Sequence, residues 1–425
     1  MPTGLGTAVA RPIDLHACQS IMPVMTIHTT IIAAISALAV AAPLHAKTID
    51  VAAGDGAQPR LQEALITAQP GDVVLLGAGR FVLTDGLSLD ANGVTVRGAG
   101  MDATVLDFSG QKGAGEGLLV TSDAVTLRDF AVENTRGDGI KSKGADNIVY
   151  YRVRVGWTGG PKETNGAYGI YPVGSTGVLI DGCKVSGASD AGIYVGQSQA
   201  ITVRYNYVEN NVAGIEIENS RDALVTGNLV TRNTGGILVF DLPNLPVMGG
   251  GNVRIARNLV VDNDTPNFAP KGNIVAGVRR GTGVMVMANQ SVEVSGNQIS
   301  GNSTAAVMVV SYPNKFEDAR YNPAPRGVQI YENTLGRNGF APQIDGAPQL
   351  LAAFGGTLPP VLWDGLGDAP AGSGDNASAW TLNLPAQGAG FETAKPAALR
   401  LPPIYPATVG TQAGAPAALD ARTRL

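Results

Sequence analysis

Glu216 and Glu218 stand two residues apart in Ala213-Gly-Ile-Glu-Ile-Glu-Asn-Ser220, where Ile and Glu alternate as on a β-strand with one inward and one outward face. Their Cα atoms would be about 6 to 7 Å apart, with both carboxyls pointing the same way. One could protonate a leaving oxygen while the other activates water, the division of labour of glycoside hydrolysis. Neighbouring segments add to the same face. Gly192-Ile-Tyr-Val195 contributes Tyr194, Gly169-Ile-Tyr171 contributes Tyr171, and Gly139-Ile-Lys-Ser-Lys143 contributes Lys141 and Lys143. Gly236-Ile-Leu-Val-Phe240 contributes Leu238 and Phe240, and Asp241 follows at once. Phenols can stack on sugar rings or join in proton transfer, and ammonium groups can neutralise uronate carboxylates. Catalysis is therefore expected from Glu216, Glu218 and Tyr194, with substrate contacts from Tyr171, Lys141, Lys143, Phe240 and Asp241.

Composition narrows the chemistry. The chain has three histidines (His16, His28, His45) and two cysteines (Cys18, Cys183) in 425 residues. Thr29 to Ala42 is an apolar, small-residue stretch that runs into Pro43-Leu-His-Ala46, which reads as a signal peptide spanning 1–46 and cleaved after Ala46. The stretch is too short for a membrane span, which needs about 20 apolar residues. An exported chain so trimmed keeps Cys183 alone and no histidine. Imidazole bases, His/Cys zinc sites and an internal disulfide are then excluded. No metal or cofactor is expected from residue spacing, although calcium held by oxygen ligands would leave no clear trace there. The net charge of -5 and the lack of any Lys/Arg stripe argue against nucleic acid as a partner. A periplasmic or secreted monomer is the expectation.

These residues need a scaffold that repeats. Gly192 to Gly214 and Gly214 to Gly236 are each 22 residues apart, and Gly169 to Gly192 and Gly283 to Ala306 are each 23. A small residue followed by a β-branched one heads every such segment. A second element recurs as Asn-x-aliphatic-x-x-Asn at 206–211, 228–233, 258–263, 297–302 and 333–338. Asn tolerates the left-handed backbone of a sharp corner, and stacked amides about 4.8 Å apart can donate to one another. Cys183, Val153 and Phe130 hold the equivalent of Asn206 in earlier coils, which makes Cys183 a buried, inert member of an interior column. Insertions at 156–168, 241–251, 264–281 and 311–326 flank the strands that carry Glu216 and Glu218, as walls of a groove would.

Ends must be covered, because an open solenoid exposes strand edges. Gln58 to Ala68, with Pro59 near its start and apolar residues at 61, 64, 65 and 68, is a capping helix by its spacing. The expected layout is a cap over 47–71, coils over 72–340, an irregular C-terminal cap over 341–404 and a disordered tail over 405–425.

The helical cap, the Gln-Pro-Gly-Asp72 turn before Val73-Val-Leu75 and the Asn-laddered coils together resemble the pectin-lyase-like superfamily across roughly 50–340. Segments 189–198, 213–220 and 236–243 are similar to a family of exported bacterial β-helix repeat proteins, and more loosely to carbohydrate-binding and sugar-hydrolase repeats. The resemblance implies an all-β, single-stranded right-handed parallel β-helix, with a polysaccharide as partner, expected to be an acidic one, bound or processed along a side-wall groove. Elimination, epimerisation and hydrolysis all stay open, as does a non-catalytic module that binds a glycan or an envelope protein. The Asp-Pro-His-Asp motif implied for alginate epimerases and the Gly-His-Gly motif implied for polygalacturonases are both missing.

Overall fold

The computed structural model describes residues 46–113, 115–404 and 413–424. The expected signal peptide therefore lies, but for Ala46, outside the described residues, as do positions 405–412 of the expected tail. Three β-strands alternate along the chain, and every third strand joins the same sheet. Among the described residues, sheets of twelve, twelve and ten strands result, each running the length of the solenoid: Gln199–Arg204 lies in the first, Ala213–Glu218 in the second and Tyr207–Glu209 in the third. Within the repeat all pairings are parallel. A parallel strand can be reached only by a crossover, and here the other two sheets supply it.

Register makes the repeat physical. Ile193 pairs with Ile215, Ile215 with Ile237, Ile237 with Val284 and Val284 with Val307. All five are fully buried. The small residue beside each is required by crowding: a Cβ on Gly214 would lie 2.5 Å from Val230 and 2.6 Å from the Gly236 carbonyl of the next coil. Helix Ala57–Thr67 buries Ala57, Leu61, Ala64 and Leu65 over the first coil, as its spacing predicts.

Two asparagine ladders run through the interior corners. In one, the Nδ2 groups of Asn206, Asn228, Asn258 and Asn297 donate to the Oδ1 of the next Asn at 2.8 to 2.9 Å. Asn211, Asn233, Asn263 and Asn302 form the second, at 2.9 to 3.3 Å. Asn228 is saturated: its Oδ1 accepts from the backbone and side chain of Asn206, and its Nδ2 donates to the Val203 carbonyl and to Asn258. The left-handed corner residue is not the ladder Asn, as expected, but the one before it: Tyr205, Arg257 and Asp262 have φ between 55° and 57°. Earlier coils keep that corner at Asp129 and Arg152, while Phe130, Val153 and Cys183 fill the ladder position. Burial pushes the Cys183 thiol up to about 12, so it is unreactive.

The C-terminal part departs from the expected layout. The stack continues past 340: Val361–Trp363 and Ser378–Thr381 extend the second sheet, and Asn376 Oδ1 accepts from Asn333 at 2.8 Å as a last ladder rung. The shared hydrogen-bond pattern survives there although the coil length does not, which is why spacing alone missed it. Residues 413–424, expected to lack order, lie on the outer face of the first sheet. Leu419 is buried against Val149 and Leu179, Ala415 N–H donates to Thr202 Oγ1 at 2.8 Å, and Asp420 pairs with Arg204 at 2.9 Å.

Asn228→Ala would strand the two Asn206 donors in the core. A loss of about 2 to 4 kcal/mol in local stability is expected, read as faster amide exchange across the strands on either side of residue 228 and little change in the first coils.

Candidate functional site

Outward positions of the second sheet build the site. Along one column Lys141 pairs with Tyr171, Tyr194 with Glu216, Glu216 with Leu238, Leu238 with Met285 and Met285 with Met308. Beside it run Gly196, Glu218, Phe240, Met287 and Val310. All four insertions rise around these strands. Ala167 and Tyr168, Leu242, residues 272–275 and 277–279, and residues 311–314 line a single cavity of about 720 Å³. The C-terminal cap closes it further through Ile344, Leu382, Leu384 and Phe391. A side-wall groove was expected; the loops and cap make it a pocket of small-ligand size.

At one end of the floor lie Asp190, Glu216, Glu218 and Tyr194. Glu216 and Glu218 are only 3% and 5% exposed, so the strand face that carries them is not a solvated one. No hydrogen bond or ion pair holds either carboxyl among the described residues. Tyr194 lies along its own strand: a Cβ at Gly196 would fall 2.6 Å from the Tyr194 hydroxyl. Because Gly196 is the rung partner of Glu218, that hydroxyl is delivered beside the Glu218 strand position.

Burial dominates the electrostatics. It pushes Glu218 up to about 8, with Asp190 and Asp241 adding repulsion. Glu216 is raised well above the usual carboxylate range, by burial and then by Asp190. Burial also lifts Asp190 to about 7, although the Tyr168 hydroxyl turned toward it pulls the other way. Three carboxyls within neighbouring rungs cannot all ionise in a site of low polarity.

Other expected contacts fall elsewhere. Lys141 is held by Glu116 at 3.1 Å and Asp138 at 3.6 Å and sits 4.8 Å from the Tyr171 ring. Lys143 is exposed and Tyr171 packs on Tyr168 and Tyr194 at 4.6 and 4.8 Å, so none of the three lines the cavity. They occupy the same face as predicted, but the tyrosine cluster stands between the lysines and the pocket. Asp241 turns away to hold the Gly250 N–H and the Asn289 amide, each at 2.8 Å, and fixes the 241–251 insertion. Phe240 does line the floor.

Sequence reasoning missed Asp190 and Tyr168 as lining residues; of Arg279 and Arg280, which the sequence left as able to reach the groove, Arg279 lines it. Asp190 and Tyr168 sit just before and at the start of their strands, and the coil repeat that located Glu216 could have placed both. Arg280, in contrast, is paired with Asp264 at 2.8 Å. It also missed the apolar half of the floor, which the strand alternation of Met285, Met287, Met308 and Val310 does signal. Among the described residues no three His, Cys, Asp or Glu side chains are grouped to hold a metal ion, and no helix is long and apolar enough to cross a membrane.

A group whose folded pKa is raised binds more protons folded than unfolded between the two values. Glu218 therefore costs stability as pH rises from its ordinary 4.5 to about 8. Glu218→Gln is expected to stabilise the protein at pH 8 by on the order of a few kcal/mol and to flatten the fall in melting temperature across that window. An unchanged pH profile would show that the carboxyl is solvated.

The family described as right handed beta helix region matches residues 92–245. No curated protein sequence matches the chain. Among solved structures, the A-module of the Azotobacter vinelandii mannuronan C-5 epimerase AlgE6 superposes with a TM-score of 0.51 at 16% identity, covering 75% of this chain and 90% of that one. The A-module of AlgE4 from the same organism gives 0.49, again at 16% identity and with 75% and 90% coverage. DFA-IIIase from Arthrobacter chlorophenolicus A6 gives 0.46 at 13% identity, with 79% and 89% coverage. At such identities the likeness is one of fold. Stacked parallel coils, a matching repeat region and the superposition on the AlgE6 A-module agree on one fold, the right-handed parallel β-helix.

Proposed function

We propose that the protein is a carbohydrate-active enzyme that hydrolyses a glycosidic bond of an uncharged sugar in the walled cavity. The observation that carries this reading is the placement of Glu216 and Glu218, unpaired and nearly dry, on the floor of a pocket large enough for a sugar. Hydrolysis needs a proton donor for the leaving oxygen and an acceptor for a proton of the attacking water. Glu216 and Glu218, both raised by burial, keep their protons near neutrality and serve as donors. Asp190, at about 7, ionises first and takes the proton from water. The glycosidic carbon–oxygen bond breaks as the leaving oxygen gains a proton, and the water hydroxyl bonds to the anomeric carbon. Tyr194, laid beside the Glu218 position, orients the sugar. The two glutamates thus share one role, where the sequence suggested that they divide two.

An acidic polymer suits the cavity less well. Arg279 is the single cation among its lining residues, and the lysines expected to neutralise uronates are engaged or outside. A phenolate base for elimination is disfavoured, because burial holds the Tyr168 phenol far above its ordinary range. The fold likeness to polysaccharide-processing proteins supports a carbohydrate ligand in general terms. Export to the periplasm or beyond, directed by the segment before Lys47, and a monomeric state complete the reading.

The purified protein should be incubated with panels of neutral and uronate oligosaccharides while new reducing ends and unsaturated products are followed separately. New reducing ends from neutral sugars alone are expected, with an optimum between about pH 7 and 8, where Asp190 has released its proton and Glu218 retains one. Glu216→Gln, Glu218→Gln and Asp190→Asn should each lower kcat by about a hundredfold or more, and Lys143→Gln should not. Unsaturated products from uronates would overturn the reading. Binding without turnover of any sugar would instead favour a non-catalytic glycan-binding module.

A further inference from the structure

Beyond the carboxyls the cavity floor changes character within one coil. Glu216 is the rung partner of Leu238 and Glu218 of Phe240. From Leu238 the column continues as Met285, Met308 and Leu362, three rung steps or about 14 Å of apolar floor. No charged side chain interrupts it until Asp364, whose carboxylate already accepts the Ser311 N–H and hydroxyl at 2.6 Å each. Leu382 and Phe391 of the C-terminal cap line the same end and wall it on that side.

A polysaccharide running on from the carboxyls would bring hydroxyls onto every part of this floor. Each hydroxyl laid on the Leu238–Leu362 column would give up water for side chains that offer no hydrogen bond. An apolar chain meets no such penalty. Methionine is unbranched and adaptable, and Met285, Met287 and Met308 together form a surface that can follow a flexible or irregular ligand. Loops on both edges and the cap wall a pocket of about 720 Å³, which matches a small molecule better than a protein segment or a long glycan.

We infer that the cavity takes an amphiphilic glycoside, its sugar against Asp190, Glu216 and Glu218 and its alkyl or aryl aglycone along the floor from Leu238 to Leu362. This rests on the proposed sugar site, and it makes the leaving group of the hydrolysis an alcohol with an apolar tail: the aglycone oxygen takes the donated proton and the sugar keeps the water hydroxyl.

The test is calorimetric titration of the protein with alkyl β-glucosides of increasing chain length, each below its micelle-forming concentration, alongside hydrolysis of the same compounds. Each pair of added methylenes should tighten binding by about tenfold until the floor is filled. Met308→Gln and Leu362→Gln, each shown by circular dichroism to keep the β-helix, should flatten that dependence. Graded binding that these substitutions flatten supports the inference whether or not turnover follows; absence of turnover then counts only against the catalytic reading. Affinity independent of chain length, a gradient unaffected by both substitutions, or a self-associated protein that leaves the probes unbound overturns it.

Discussion

In-register stacking of coils is the constraint on which the molecule depends. Once backbone hydrogen bonds lock each strand onto the one below, every position becomes a column, and its occupants must tolerate their own kind at about 4.8 Å. Isoleucine on isoleucine satisfies this by packing, and asparagine on asparagine satisfies it because an amide is both donor and acceptor. The glycines beside the inward isoleucines, such as Gly214, satisfy it by having no side chain to collide. Carboxyl above phenol and below leucine, as at Tyr194, Glu216 and Leu238, is a column that no stacking preference explains. Local rules yield there, as they do at functional sites generally.

The electrostatics of the cavity follow from that geometry. Asp190, Glu216 and Glu218 come from two adjacent rungs, so their mutual repulsion is a consequence of coil spacing rather than of any special loop. The insertions then remove water, and desolvation becomes the largest influence on all three groups. Neither effect would suffice alone. An exposed carboxylate cluster on an open sheet would be screened and would ionise normally.

The C-terminal quarter of the chain joins in this architecture. Its cap prolongs the second sheet, receives the last rung of an asparagine ladder and closes the apolar end of the cavity. Farther on, residues 413–424 cross to the outer face of the first sheet, where Arg422 donates to Thr126 Oγ1 at 2.9 Å and to the Ala124 carbonyl at 2.6 Å. The same chain end thus covers apolar surface on one side of the solenoid and forms the pocket on the other.

Periodicity carried the fold into the sequence. Glycine spacings of 22 and 23 residues and the repeated Asn-x-aliphatic-x-x-Asn element place the coils, the ladders and the inward isoleucines, because a stacked solenoid imposes its period on composition. The same period put Glu216, Glu218, Tyr194 and Phe240 on one face. What it could not decide was depth. Whether an outward residue meets water, a neighbour or a cavity depends on loops and a cap whose sequences do not repeat. For that reason Lys141, Tyr171 and Asp241, alike in pattern to the lining residues, proved to be packed or bonded elsewhere, while the three-dimensional arrangement alone decided that Asp190 and the methionines line the cavity. Period is a property of the chain; enclosure is a property of segments brought together from distant parts of it.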